Sequence, residues 1–328
     1  MAPADDAVIR VRGLVKRFGD VHAVDGIDVA VSEGGFFGFL GPNGAGKTTA
    51  ISMLTGLARP DAGSIEIGSI DCSRNPKAAQ HLIGVVPDES NLYPELTGFE
   101  NLCFSGALYG LRKKVRQRKA EELLNLFGLE GAAERKFSGY SKGMKRRLVI
   151  AASIMHEPPL LFLDEPTSGI DVESSRMIRS LLAALNRNGT TIFLTTHFID
   201  EAERLCDRIA FIVNGKIVRD DRLERLLQPV QGRYALTVTV SGGCAVPYAD
   251  LQQAFPGLVF HETAENELRI ESSKPLKAGL LVRFLEDRCV EVVEARKRQL
   301  SLEDVFVEVT GIGSSSMTGG VKEGRGRR

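Results

Sequence analysis

The sequence predicts an α/β core interrupted by a helical subdomain and followed by a small α+β unit. The continuous apolar run "FFGFL" ends at Gly41, passes through a glycine-rich stretch and enters the helix-like "KTTAISMLTGL", which is the strand, loop and helix order of an α/β unit. Later apolar runs, "HLIGVVP", "PLLFLDEP" and "TTIFLTTH", carry the same strand signal, and the last two are separated by a helical pattern. From about residue 95 to 157 the apolar period changes to three and four, which places consecutive helices there.

Taken in order, the chain opens on strands at "VIRVRGLV", "VDGIDVAV" and "GFFGFL" within residues 8 to 40. The helical stretch comprises "ENLCFSGALYGL", "RQRKAEELLNLFGL" and "SKGMKRRLVIAASIM". After "PLLFLDEP" come the helix "VESSRMIRSLLAALN", the strand "TTIFLTTH", the helix "DEAERLC" and the strand pair "RIAFIVNGKIV". The Asn214-Gly215 step in that pair is a hairpin turn. Pro229 and Gly232 mark a new start, with strands at "YALTVTV", "ELRIES" and "CVEVVEA" and a helix at "LKAGLLVRFLED". The core is therefore expected over residues 8–227 and the α+β unit over 232–309, while 310–328, "TGIGSSSMTGGVKEGRGRR", has nothing to bury and is expected to be disordered. No internal repeat is present, so the core occurs once.

Composition narrows the classes. The 328 residues are 43% apolar, enough for one large core and a smaller second unit. Lys and Arg number 42 against 42 acidic residues, a balance that gives no global pull toward nucleic acid or an anionic surface. Cys72, Cys103, Cys206, Cys244 and Cys289 are scattered without paired ligand spacing, so neither a disulfide framework nor a zinc site is indicated and a reducing, cytoplasmic compartment fits. "MAPADDAV" lacks the sections of a signal peptide, and no apolar run approaches the roughly 20 residues of a membrane helix. A membrane role is expected through a partner or peripheral attachment.

"GPNGAGKT", Gly41 to Thr48, matches the phosphate-binding pattern in full. Gly41, Gly44 and Gly46 are read as turning the backbone so that N–H groups of the loop, with Pro42, Asn43 and Ala45 between them, face phosphates. The helix start adds partial positive charge. Lys47 can reach the β- and γ-phosphates and the Thr48 hydroxyl can hold Mg²⁺, with Thr49 following in the same set. Such a loop fits a kinase, a GTPase or many ATPases. The acidic pair in "LLFLDEP" narrows this: Asp164 at the strand end suits the Mg²⁺ shell and Glu165 suits the attacking water, because adjacent carboxylates leave a strand in different directions. Glu165 could also be a solvated acid at a loop start. His197 ends the strand "TIFLTTH", where ligands gather in open α/β sheets; it is read as a holder of the γ-phosphate or water, against the alternative of an ordinary polar residue.

Together these elements resemble the nucleotide-binding subunit of ATP-binding cassette (ABC) transporters, and the resemblance covers about residues 8 to 225. It implies a P-loop NTPase core of the ABC type, ATP and Mg²⁺ as cofactors, and ATP hydrolysis coupled to transport. "YSKGM" resembles the family's signature loop, with Ser141 and Gly143 matching and Tyr140, Lys142 and Met144 departing. The resemblance implies that Ser141 and Gly143 act across a head-to-tail dimer, on nucleotide held by the opposite Lys47, in a homodimer or with a closely related second subunit. Phe18 stands where the family stacks an aromatic on adenine, with a core phenylalanine as the alternative. Asp171 in "SGID" matches a loop that crosses the dimer, although it could also cap the helix beginning near Val172. Asp88 stands where the family has a glutamine that contacts Mg²⁺ and water; it is expected to substitute as a metal residue, the alternative being that it points away and coupling to the permease is altered.

The implied partner is an integral-membrane permease docked near residues 88 to 105, which places the chain at the cytoplasmic face of the membrane. "SLEDVFVEVTG", residues 301 to 311, resembles the C-terminal end of daunorubicin-type exporter ATPases, or is an amphipathic turn packing the small domain. Cargo choice in the family lies mainly in the permease, so drug, polysaccharide, lipid and ion export stay open. A soluble ATPase of the same fold acting on ribosomes or nucleic acid is the competing reading, motivated by the basic run "RKKVRQRK" at 112 to 119, but no nucleic acid is expected. A weakly hydrolysing regulatory scaffold, motivated by Asp88, is the third.

Overall fold

Two long strands, β1 (Ala7–Phe18) and β2 (Val21–Ser32), open the chain as an antiparallel pair. The computed structural model describes residues 7–72, 74–228, 230, 233–241, 247–264 and 266–313, so Cys244, Pro229, Gly232 and the tail from residue 314 lie outside the described residues. β3 (Phe36–Leu40) is buried at every position, which is why it reads as a continuous apolar run. It feeds α1 (Lys47–Leu54). Next come β4 (Ala62–Ile67), β5 (Ile70–Asp71), the short α2 (Pro76–Gln80) and β6 (Ile83–Val86).

β4 and β5 carry no apolar run and were not expected. The first half of β4 is exposed, and its place is set by pairing, with Ile65 opposite Val11 and Ile67 opposite Ile9. The result is a four-stranded antiparallel sheet in the order β2-β1-β4-β5.

Helices then dominate: α3 (Gly98–Leu108), α4 (Lys113–Leu126) and α5 (Lys142–Ser153). Thr97 and Glu100 close a reciprocal capping box that starts α3, with Glu100 N donating to Thr97 Oγ1 at 3.1 Å and Thr97 N donating to Glu100 Oε2 at 2.8 Å. Buried Asn101 ties the preceding loop down, donating to the Tyr93 carbonyl at 3.0 Å and accepting from the Tyr93 amide at 2.9 Å.

The core resumes with β7 (Leu160–Asp164), α6 (Val172–Arg187), β8 (Thr191–Thr196), α7 (Ile199–Leu205), β9 (Arg208–Val213) and β10 (Lys216–Arg222). Six strands form one sheet in the order β10-β9-β3-β8-β7-β6, parallel except for the β9–β10 hairpin. This order makes neighbours of the C-terminal ends of β3, β8 and β7, the edge at which open α/β sheets bind ligands.

The chain divides into two units, the larger reaching Leu223 and the smaller running from Glu224 to Glu308. After α8 (Leu223–Leu227) the smaller unit holds β11 (Tyr234–Val240), α9 (Tyr248–Ala254), β12 (Val259–Ala264), β13 (Glu267–Ser272), α10 (Ala278–Glu286), β14 (Val292–Gln299) and α11 (Leu302–Thr310). The βαββαβ order with sheet order β12-β13-β11-β14 is the ferredoxin-like arrangement. Leu236, Val238, Leu268 and Ile270 from the sheet pack with Leu251, Leu281 and Leu285 from the helices. α9 and β12 were not expected, and β14 runs past the expected Ala295 into charged residues because β11 pairs with it as far as Tyr234 opposite Gln299. "LEDVF" lies in the helix α11. No helix among the described residues is long and apolar enough to cross a membrane.

Candidate active site

The loop between β3 and α1 is shaped by three glycines for different reasons. Gly44 and Gly46 have φ of 79° and 105°, a region that only glycine enters easily. Gly41 is not a positive-φ residue; an added Cβ would lie 2.2 Å from the Ile212 carbonyl of β9. Its smallness therefore serves a close approach of β9 rather than the turn expected of it. A Cβ at Gly46 would lie 2.2 Å from the Ala23 carbonyl. The Gly215 amide of the β9–β10 turn donates to Ala45 O at 2.9 Å, and the Asp25 amide to Gly215 O at 2.9 Å, so β2 and the hairpin hold the loop from behind.

α1 begins without a side-chain cap and without an acid in its first turn, which keeps the positive end of its dipole open to an anion. Buried Lys47 folds back over the loop, donating to Gly41 O at 2.6 Å and Pro42 O at 3.1 Å. Its Nζ lies 3.2 Å from Glu165 Oε1. Thr48, the next residue of α1, is exposed and Thr49 is half-buried.

At the end of β7, buried Asp164 accepts through Oδ1 from the Thr195 hydroxyl of β8. Glu165 has φ of 48°, a costly conformation for a residue with a Cβ. Its amide donates to Thr195 O at 3.1 Å, and Oε2 lies 2.8 Å from His197 Nδ1. An ionised carboxylate only accepts, so Nδ1 carries the proton in this contact. Burial pushes the Glu165 carboxyl upward, but the hydrogen bond from His197 and the charge of Lys47 outweigh it and hold the group below its ordinary range. Oε1 is buried and makes no directed hydrogen bond beyond the ion pair with Lys47.

Arg146 was missed by sequence reasoning. It sits on the buried face of α5, where the helical period calls for an apolar residue, and that misfit is the signal that could have found it. Its guanidinium donates to the Pro166 carbonyl at 3.0 Å, Asp164 O at 3.2 Å, Glu165 O at 2.6 Å and to Pro87 O. Asp88, expected as a metal residue, is 60% exposed and places Oδ1 3.6 Å from Arg146 Nη2. Burial raises the Asp88 carboxyl, Arg146 opposes this, and the nearby charges of Asp164 and Glu165 add to it.

The other expected residues fall into a second group at the adjoining starts of α5 and α6. Ser141 N-caps α5, accepting from the Met144 amide at 3.3 Å. Asp171 caps α6, accepting from the Ser174 amide at 2.8 Å, a bond that lowers its carboxyl. Gly143 is where the helices meet: an added Cβ would lie 2.2 Å from Ser174 Oγ. The departure at Tyr140 has a packing reason, since its ring is buried against Gly98 and its hydroxyl donates to Ala132 O at 2.7 Å. Phe18 is 57% exposed at the end of β1, so it is not a core side chain. The basic run at 112 to 119 lies largely on α4, where Arg118 pairs with Glu122 and Lys119 with Glu157, as on a solvated helix face.

Comparison with known proteins gives the family. The family model for ABC transporter matches residues 24–168. The chain is 35% identical over 310 residues to the linearmycin resistance ATP-binding protein of Bacillus subtilis (strain 168), covering 93% of this chain and 98% of that one. It is 37% identical over 310 residues to a daunorubicin resistance ATP-binding protein of Streptomyces coeruleorubidus, covering 94% and 96%. A Nod factor export ATP-binding protein of Ralstonia nicotianae is 36% identical over 317 residues, covering 93% and 94%. Among solved structures, a dimeric ATP-binding cassette in a post-hydrolysis state with ADP and Pi superimposes with a TM-score of 0.61 at 27% identity, covering 66% of this chain and 98% of that one. The chain belongs to the ATP-binding proteins of the ABC transporter family, in the exporter-type group that contains the daunorubicin-resistance and Nod factor export proteins.

Proposed function

We propose that this chain is the ATP-hydrolysing subunit of an exporter and drives a separate integral-membrane permease from the cytoplasmic face of the membrane. The observation that carries the reading is the Glu165 carboxylate, buried at a strand end with one oxygen on His197 and the other facing Lys47 of the phosphate loop. A carboxylate held this way is a base with a fixed direction, and its buried Oε1, which no hydrogen bond occupies, keeps the capacity to accept a water proton.

The residues fit a bound nucleotide. The loop from Gly41 to Gly46 is held in a glycine-dependent turn against the Ile212 and Ala23 carbonyls, and α1 behind it offers an uncapped N-terminus. Lys47, Thr48 and Thr49 continue the phosphate site, and the exposed Phe18 ring, with Lys16 Nζ 5.6 Å from its centroid, offers a surface for stacking a flat base. Asp164 and Thr48 would hold Mg²⁺, since Asp164 spends one oxygen on Thr195 and keeps acceptor capacity for a hard cation. The cation would neutralise charge on the phosphate oxygens. Glu165 takes the proton as the water oxygen bonds the γ-phosphorus and the bond to the β-phosphate oxygen breaks, while His197 keeps the carboxylate aimed.

Ser141, Gly143 and Asp171 act across a pair of cassettes in this reading, a role their exposed position at the starts of α5 and α6 supports for Ser141 and Asp171. The permease docks around residues 88 to 105, where Tyr93 and Phe104 expose apolar surface, and where Asn91 lines a groove together with the exposed Leu57 and Leu108. Pulling this chain from gently solubilised native membranes tests the reading. A stoichiometric integral-membrane protein is expected; ribosomal proteins or nucleic acid without a membrane protein would contradict it.

A further inference from the structure

Arg146 is a charged residue with only 7% exposure, and the site described so far gives it no task. A guanidinium has five N–H donors in a rigid plane. Here they meet carbonyls from two separate chain segments: Pro87 after β6, and Asp164, Glu165 and Pro166 at the end of β7. The third segment is Arg146's own helix, α5, which starts at Ser141. One side chain therefore ties three elements at the edge where β7 delivers its carboxylates.

The tie falls on the most strained residue of the site. Glu165 holds a positive φ, and a residue with a Cβ keeps that conformation only where its surroundings impose it. Its amide is held by Thr195 and its carbonyl by Arg146 at 2.6 Å. Fixing both ends of the residue fixes the direction in which its carboxylate leaves. Carbonyls alone leave a buried guanidinium without a counter-charge; the acid in ion-pair contact is Asp88, at 3.6 Å, ahead of the more weakly acting charges of Asp164, Glu165 and Glu201.

We infer that Arg146 is a positioning residue for ATP hydrolysis, holding the Glu165 backbone so that its carboxylate is aimed, and that Asp88 is its counter-ion. This rests on the reading of Glu165 as the hydrolytic base. It gives Asp88 a task in place of metal ligation, and it makes α5 and the base a single mechanical unit, so that any shift of the Ser141 end of α5 is felt at Glu165. Lysine cannot replace Arg146, because a point charge does not span four carbonyls.

The test uses the full-length chain, with phosphate release measured against ATP and against Mg²⁺, and nucleotide binding measured separately. R146K is expected to lower kcat by about 10- to 100-fold, the scale of a displaced catalytic group, with the Kd for ATP unchanged within about threefold. Wild-type kcat in R146K, or loss of binding in parallel with kcat in a folded protein, would overturn the inference. Should R146K not fold, D88N at the exposed end of the pair decides. A lower kcat with an unchanged Mg²⁺ half-saturation supports the counter-ion role; a large rise in the Mg²⁺ requirement overturns it. Failure of the wild-type chain to hydrolyse ATP would instead remove the reading underneath, which separates the two.

Discussion

His197 Nδ1 lies 2.8 Å from Glu165 Oε2, joining the ends of two neighbouring parallel strands, β8 and β7, through their side chains. The contact fixes which imidazole nitrogen carries the proton and which carboxylate oxygen is left for chemistry. His197 is thus a director of Glu165 whatever it also does to phosphate.

Replacing His197 by Ala should therefore lower kcat by about 100-fold, the lower end of what a misdirected general base costs, while ATP binding persists. Steady-state phosphate release together with equilibrium nucleotide binding checks this. Equal losses in both would mean that His197 acts mainly by holding ATP.

Gly46→Ala meets both a positive φ and the Ala23 carbonyl 2.2 Å from the new Cβ. Backbone cannot yield as a side-chain tip does, so the variant should lose nucleotide binding and about 1–3 kcal/mol of stability. Urea unfolding and ATP titration measure the two effects.

Gly143→Ala places its Cβ 2.2 Å from Ser174 Oγ and 2.6 Å from Ser174 Cβ. The clash is with one small side chain, so Ser174→Gly should restore much of the stability lost. A double-mutant cycle is expected to give a coupling of about 0.5–3 kcal/mol. Strict additivity would show that the helix contact is not what demands glycine here.

Asp61 accepts from the Arg17 amide at 2.7 Å and from Lys16 at 3.0 Å, beside Phe18. The Arg17 amide, then the Lys16 side chain, hold its carboxyl below the ordinary range. A depressed folded-state pKa gives stabilisation that is present above the unfolded value and lost as pH falls through the folded one. The stability gap between wild type and Asp61→Asn should thus be steady near pH 7 and shrink as pH falls below about 4. Urea unfolding at several pH values measures it, and a gap independent of pH would contradict the clasp.

The sequence made some of this legible and hid the rest for physical reasons. β3, β7 and β8 are buried on both faces and so announce themselves as apolar runs, and the loop and acids at their ends come with them. β4 is half exposed and is a strand because β1 pairs with it, so no local pattern marks it. Lys47 and Glu165 are 118 positions apart in number, and only the parallel order of β3, β8 and β7 brings them within 3.2 Å. Arg146 hides within a basic triplet of which it alone is buried. Sequence position alone pairs Asp88 with a metal role, whereas its ion-pair partner, Arg146, is 58 positions away and is set by tertiary packing.

Glu165→Gln separates proton acceptance from side-chain shape, because the amide keeps the shape of the side chain but cannot take a proton from water. The variant and the wild type would be compared for ATP turnover and ATP retention under the same conditions. Turnover is expected to fall by about 10²–10⁴-fold with ATP still bound. Turnover at the wild-type rate would contradict that role of Glu165, since the base would then lie elsewhere.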